Sequence, residues 1–176
     1  MNNLSDHPIP DSYWVLPGKF LAGQYPASRY FEEETRTKLG NLLQAGVNEF
    51  IDLTSPGELP SYQPDLVELS EWYDFKAGYQ QVSISDFGIP SPGLMVNILD
   101  KLDHFISNGR IPYVHCWAGI GRTGIVVACY LIRHGKAADE ALDYIAQQRK
   151  GIPSGNHTSP ESDIQLNMVK NWRSGE

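Results

Sequence analysis

The stretch His115-Cys116-Trp117-Ala118-Gly119-Ile120-Gly121-Arg122-Thr123-Gly124 decides how this chain is read. Ahead of it, Ile111-Pro112-Tyr113-Val114-His115 is a short apolar run of strand type. Behind it, Ile125 to Ile132 is apolar on every face, which predicts a helix buried in the middle of the fold. Two patterns overlap in this strand–loop–helix segment. Gly119-x-Gly121-x-x-Gly124 has the spacing of a dinucleotide fingerprint, and Asp139 lies near the offset of about 20 residues where that motif wants an acid. The acid should end a second strand. Asp139 instead opens an amphipathic helix marked by Ala138, Ala141, Leu142, Ile145 and Ala146, so the βαβ unit is missing. The Walker pattern fails as well, because no Gly-Lys-Ser/Thr is present.

The second pattern is Cys116-x5-Arg122-Thr123 with His115 before the cysteine. A loop of this length leaving a strand can curl around one tetrahedral anion. Its backbone N–H groups, from Trp117 through Ala118, Gly119, Ile120 and Gly121 to Arg122, then point inward as a nest. The helix that follows adds the partial positive charge of its N-terminus. Arg122 supplies a planar fork for two phosphate oxygens. The same ring of donors would stabilise a thiolate at Cys116, so one loop makes a nucleophile and binds a phosphate. A buried structural thiol and a helix-entry turn would each explain part of this segment. Neither explains Cys, glycines, Arg and Thr together. Cys129, inside the all-apolar helix, reads as core.

Outward from the loop, strands alternate with helices. Residues 13–26 predict two short strands around a Pro17-Gly18 turn. A helix is expected from about Ser28 to Leu43, ended by Gly46, and then a strand over 46–54. Residues 55–70 read as loop with room for a short helix, and Tyr79 to Ser85 as a strand leading into the loop 86–93. Met95, Ile98, Leu99, Leu102, Phe105 and Ile106 follow helical spacing up to Asn108-Gly109. Ser159-Pro160-Glu161 is expected to open a last helix carrying Ile164, Met168, Val169 and Trp172, with Pro160 in its first turn. The expected class is α/β: a central, mostly parallel or mixed sheet flanked by helices.

Composition limits the partners. The 176 residues carry a formal net charge of −7, with 41% hydrophobic and 20% charged side chains. That is enough apolar content for a core, and the acidic balance argues against nucleic acid and against polybasic membrane binding. Two cysteines make no disulfide framework. The N-terminus shows neither a basic nor an apolar leader region, and no apolar run has membrane-spanning length. No His/Asp/Cys cluster has metal-ligand spacing. The expectation is a cytoplasmic monomer with no metal and no cofactor.

The decamer 115–124 resembles the signature of the cysteine-based protein phosphatase superfamily. Trp117 stands where the large tyrosine-specific enzymes have Ser. The likeness extends over roughly residues 47–173 in the order of elements. The late position of the loop separates the chain from low-molecular-weight phosphatases and arsenate reductases. The short chain, lacking a Lys-Asn-Arg-Tyr loop, separates it from tyrosine-specific catalytic domains. It is most similar to the compact dual-specificity group, kinase-associated phosphatase and its relatives. The length fits a single domain, read as N-terminal strands over residues 1–27 packed on a catalytic phosphatase domain over 28–176.

It also implies roles. Cys116 is the nucleophile and Arg122 the phosphate fork. Asp86, on the loop before the helix that precedes the signature strand, is the general acid, although a turn Asp bonding its own backbone fits the same context. Asp52 is its rival, and Asp100 and Asp103 read as surface residues. Thr123 hydrogen-bonds the sulfur and helps it leave, beside an ordinary helix-capping role. His115 orients the loop and supports the thiolate. Gln165 corresponds to a glutamine that positions the hydrolytic water, with a solvated helix glutamine as the alternative. Glu58 corresponds to a carboxylate that braces Arg122. Tyr25 and Phe87 are candidates for stacking on a phosphotyrosine ring, or for core. Lipid phosphatases of the superfamily often carry Lys at the positions held here by Trp117 and Ile120. The implied substrate is therefore a phosphoprotein or phosphopeptide, phosphotyrosine first and phosphoserine/threonine after it. The other readings are a phosphoinositide, nucleotide or sugar phosphatase, and a non-catalytic phosphate-binding module.

Overall fold

The structure is a computed structural model and describes residues 7–173; the reading of the N-terminal leader falls partly on residues 1–6, outside the described residues. Five strands, β1 (Ser12–Leu16), β2 (Phe20–Gly23), β3 (Glu49–Asp52), β4 (Gly78–Gln81) and β5 (Pro112–His115), form one sheet in the order β1-β2-β5-β3-β4. The β1–β2 hairpin is antiparallel, and β2, β5, β3 and β4 run parallel. Gly18, at φ +66°, turns the hairpin, and Lys19 N–H donates to Leu16 O.

Alternation along the strands builds two cores. Leu21, Phe50 and Tyr113 are in register and face α1 (Glu32–Gln44) and α2 (Gln63–Ser70). Ala22, Ile51 and Val114, one residue on, face the opposite layer of α3 (Pro92–Ser107), α4 (Gly121–Arg133), α5 (Ala138–Gln148) and α6 (Asp163–Asn171). Helix α4 is the all-apolar helix: Gly121 to Ile132 are all buried. It packs against α3, α5 and α6, so its start is fixed from several sides. Both cysteines are buried, and neither is in a disulfide.

Helix α1 starts at Glu32 rather than Ser28. The Ser28 hydroxyl accepts from the N–H groups of Tyr30 and Phe31, which holds residues 28–31 in a turn, and three glutamates then meet the helix dipole. Residues 55–70 include a real helix, α2, with Pro64 in its first turn. Strand β4 ends at Gln81, yet Val82 N–H still donates to Asp52 O and Ile84 N–H to Leu53 O. This extended tail carries the chain across the C-terminal end of the sheet to residue 86.

The last helix begins differently from the expectation. Pro160 is not in its first turn. The Ser159–Pro160 bond is cis, and α6 starts at Asp163 with Ser162 as its cap. A reciprocal capping box between Ser162 and Gln165 sets that start, three residues beyond Ser159. Ile164 is half-exposed rather than core. Among the described residues no helix is long and apolar enough to cross a membrane.

Candidate active site

The loop between β5 and α4 is shaped by what surrounds it. Gly119 has φ +72°, and a Cβ there would lie 2.4 Å from the carbonyl carbon of Gly23, so the loop can lie against the end of β2 only with glycine. Tyr25 N–H donates to Trp117 O at 2.8 Å on the same side. On the other side the Ser159 hydroxyl donates to Ile120 O at 2.7 Å, and it would be 2.3 Å from a Cβ on Gly124. The curled loop is thus clamped between the exit of β2 and the segment leading into α6.

Cys116 and Arg122 lie at the base of a cavity of about 90 Å³. Thr123 Oγ1 donates to Cys116 Sγ at 3.1 Å. Thr123 is fully buried, and α4 has no side-chain cap at its start, so the hydroxyl serves the sulfur. Arg122 is 2% exposed. Its Nη1 and Nη2 donate to the two carboxylate oxygens of Glu58 at 2.9 and 2.7 Å, and Nη1 also donates to Ile84 O. The Asp86 carboxylate sits 3.2 Å from the same Nη2. Burial opposes the guanidinium charge, but Glu58, Cys116 and Asp86 outweigh it and hold the Arg122 pKa above its ordinary value. The hydrogen bond from Arg122 in turn holds the Glu58 carboxyl below its ordinary range.

Asp86 therefore faces the loop that carries Cys116 and Arg122, and it is half-exposed. Its Oδ1 also accepts from Phe87 N–H at 3.1 Å, so the turn role and the position at the site coexist. The rival Asp52 is buried and bound locally, accepting from Thr54 N–H and hydroxyl and from the Tyr79 hydroxyl. Asp100 and Asp103 pair with Arg133 on the outside of the helical layer. Phe87, at φ +55° and 59% exposed, lines the cavity beside Trp117. Tyr25 is buried, with its hydroxyl donating to Pro60 O, and belongs to the core.

His115 is wholly buried behind the loop. Burial pushes its pKa down to about 4 against the opposing pull of Asp52, so the ring is neutral near pH 7. Its Nε2 is hydrogen-bonded to the Tyr62 hydroxyl at 2.6 Å, and its Nδ1 lies 3.9 Å from Asp52 Oδ1. Gln165 is buried, not solvated. Its Oε1 accepts from the N–H groups of Glu161 and Ser162, and its Nε2 donates to Gly88 O. With the Ser162 hydroxyl donating to Phe87 O, it straps the Asp86 loop to the start of α6. Its amide would lie 3.0 Å from a Cβ on Gly121, which places it against the nucleophile loop.

Tyr62 and Glu161, which lines the cavity, were not singled out in the sequence. Both arrive through tertiary packing, and no local pattern marks them. Ser162 had a signal, the Ser-x-x-Gln box. Among the described residues no group of three or more His, Cys, Asp and Glu side chains is gathered as a metal site would need.

The chain is 27% identical over 146 residues to mouse protein tyrosine phosphatase domain-containing protein 1, a match covering 78% of this chain and 19% of that protein. It is 28% identical over 159 residues to the phosphatidylinositol 3,4,5-trisphosphate 3-phosphatase and protein-tyrosine-phosphatase of Arabidopsis thaliana, covering 89% and 36%. The chain thus spans well under half the length of these two curated relatives. The crystal structure of kinase-associated phosphatase with its catalytic-site cysteine replaced by serine superposes with a TM-score of 0.68 at 22% identity, covering 85% of this chain and 83% of that one; at this identity the likeness is one of fold. The model of a phosphatase family described as "Polymorphic toxin system, DSP-PTPase phosphatase" matches residues 27–136, more than half of the sequence and the whole nucleophile loop. The chain is a member of that dual-specificity phosphatase family.

Proposed function

We propose that this phosphatase hydrolyses phosphoprotein monoesters, phosphotyrosine first and phosphoserine/threonine in addition, through a phosphocysteine intermediate. The observation that carries the reading is the convergence on one small cavity of Cys116 held by Thr123, Arg122 held by Glu58, and Asp86 on a third element. In the first step the Cys116 thiolate attacks phosphorus in line. The S–P bond forms as the ester P–O bond breaks, and Asp86 delivers a proton to the leaving oxygen. The loop N–H groups and Arg122 hold the three equatorial oxygens, where transition-state charge is spread. A phosphate in the loop competes with Asp86 for Arg122 Nη2, which turns the carboxyl toward the leaving group.

In the second step Asp86, now a carboxylate, takes a proton from water. The water oxygen bonds to phosphorus and the electrons of the S–P bond return to sulfur, where the Thr123 hydroxyl receives the charge. Gln165, whose amide donates to Gly88 O and lies against Gly121, positions that water in the reading by resemblance. The exposed faces of Phe87 and Trp117 flank the cavity and suit an aryl ester. Trp117 and Ile120 leave the loop without the two cations that a polyphosphorylated inositide would use.

The test is hydrolysis of phenyl phosphate and an alkyl phosphate in EDTA by the wild type, Cys116→Ser, Arg122→Lys and Asp86→Ala. Cys116→Ser should be inactive, and full activity there refutes the mechanism. Asp86→Ala should slow the alkyl ester more than phenyl phosphate, since the poorer leaving group needs the proton more. A panel of phosphopeptides and phosphoinositides then reads substrate class. Turnover of inositides alone would overturn the phosphoprotein assignment while leaving the chemistry in place.

A further inference from the structure

Trp117 follows the nucleophile directly, is 55% exposed, and forms part of the cavity wall. The guanidinium of Arg29, from the turn ahead of α1, lies over its indole with Cζ 5.4 Å from the ring centroid. A cation–π contact of this kind uses none of the guanidinium N–H groups as hydrogen-bond donors to a carboxylate. Among the described residues Arg29 is in no ion pair, whereas Arg122, Arg36, Arg110 and Arg133 all are. The charge of Arg29 reaches the site, adding to the effect of Arg122 in holding the Glu58 carboxyl down. The mouth is asymmetric: Asp86 and Glu161 stand on the α6 side, and Arg29 on the Trp117 side.

Next to Arg29, Tyr30 and Phe31 are 82% and 66% exposed. Large aromatics beside an arginine are the composition of a protein-contact surface. A headgroup bearing several phosphates would want more than one cation here, and a peptide with one acidic side chain wants one.

We propose that Arg29, held against Trp117, is a specificity-determining residue that binds an acidic side chain lying next to the phosphorylated residue of a phosphopeptide. This rests on the phosphatase reading above and names the flank that the site selects. The acidic character of the chain as a whole does not decide the preference at the mouth, because charges beyond about 8 Å are screened at physiological salt, while Arg29 stacks on Trp117, a residue of the cavity wall.

The experiment uses phosphotyrosine peptides with Glu placed at one of the two positions before or after the phosphotyrosine, each paired with its Gln counterpart. The readout is the ratio of kcat/KM for the Glu peptide to that for the Gln peptide, taken within each protein so that any general loss cancels. At one or more of these positions the wild type should show a ratio of about three to five, the range of a partly exposed ion pair. Arg29→Gln should bring the ratio to about one, Arg29→Lys should keep part of it, and about 1 M salt should remove it from the wild type. A wild-type ratio of one at every position, or one unchanged in Arg29→Gln, overturns the assignment. So does a loss confined to a short-chain phosphatidylinositol bisphosphate, which would move Arg29 to a lipid headgroup. Phenyl phosphate separates the two levels. If the wild type hydrolyses it and Cys116→Ser does not, a flat peptide ratio sinks only this inference. If the wild type hydrolyses nothing, the phosphatase reading falls and this one with it.

Discussion

Replacing Glu58 with Gln keeps the shape of the side chain and removes the charge that holds Arg122. In the folded protein Glu58 makes two charge-assisted bonds, 2.9 and 2.7 Å long, to a guanidinium that is only 2% exposed. Breaking a fully buried pair costs about 3–5 kcal/mol. Here the figure is discounted, because the Glu58 side chain is 23% exposed, Gln keeps one acceptor, and Ile84 O and Asp86 remain on the guanidinium. A loss of about 2 kcal/mol in unfolding free energy is expected, read by urea denaturation. Arg122 is also freed to leave the plane in which it meets phosphate. If the same 2 kcal/mol is lost from the transition state, kcat/KM on phenyl phosphate falls about 30-fold, and inhibition by inorganic phosphate weakens with it. The pH dependence has a definite sign. The Glu58 carboxyl is held below its ordinary value, so its contribution is complete above that value and is lost as pH falls through the folded one. The stability gap between wild type and Glu58→Gln should close at acid pH. Equal stabilities at pH 7 together with kcat/KM within twofold would refute the bracing role.

Three further outcomes follow from the same geometry. Thr123→Val removes the donor 3.1 Å from Cys116 Sγ and should slow hydrolysis of the phosphoenzyme about 10- to 100-fold, seen as a burst with trapped phosphocysteine that Thr123→Ser does not show. Gly119→Ala drives a methyl to 2.4 Å from Gly23 and should cost more than about 2 kcal/mol with loss of activity, whereas Gly135→Ala, at φ +99° with nothing within 4 Å, should cost only the backbone strain of about 1–2 kcal/mol. The His115 pKa is pushed from 6.5 to about 4, so the unfolded chain binds a proton that the folded one refuses between those values. Stability should therefore fall by about 2 kcal/mol from pH 7 to pH 5, and a flat urea profile over that range would refute a neutral buried imidazole.

The nucleophile loop was legible because its chemistry is contiguous. Strand end, cysteine, glycines, arginine and helix start follow one another, so the pattern carries the geometry. Asp86 was legible one step less directly, through a loop context that a turn Asp shares; its Oδ1 in fact accepts from Phe87 N–H while lying 3.2 Å from Arg122. Glu58 and Gln165 were named only through resemblance, since nothing local says that residue 58 meets residue 122, or that residue 165 reaches Gly88. Tyr62 and Glu161 escaped altogether for the same reason. The start of the last helix was misplaced because proline is a strong local signal for a first turn. The Ser162–Gln165 box outweighs it, and Pro160 instead packs against Gly124.

An acidic chain and a phosphate site are compatible for a reason the geometry makes plain. The formal −7 argues that the chain repels anions, and the side chains at the site do not reverse it: Arg122 brings one positive charge, and Glu58 and Asp86 bring two negative ones within 3.2 Å of its Nη2. The attraction for phosphate must then come mainly from the main chain, from the loop N–H groups and the N-terminus of α4, whose partial charges appear in no count of Lys, Arg, Asp and Glu. Arg122 contributes geometry as much as charge, because Glu58 fixes the plane of its fork while the loop supplies the field. On the proposed reading, that division lets an acidic chain carry a phosphate site, one marked in the sequence by glycine spacing rather than by charge balance.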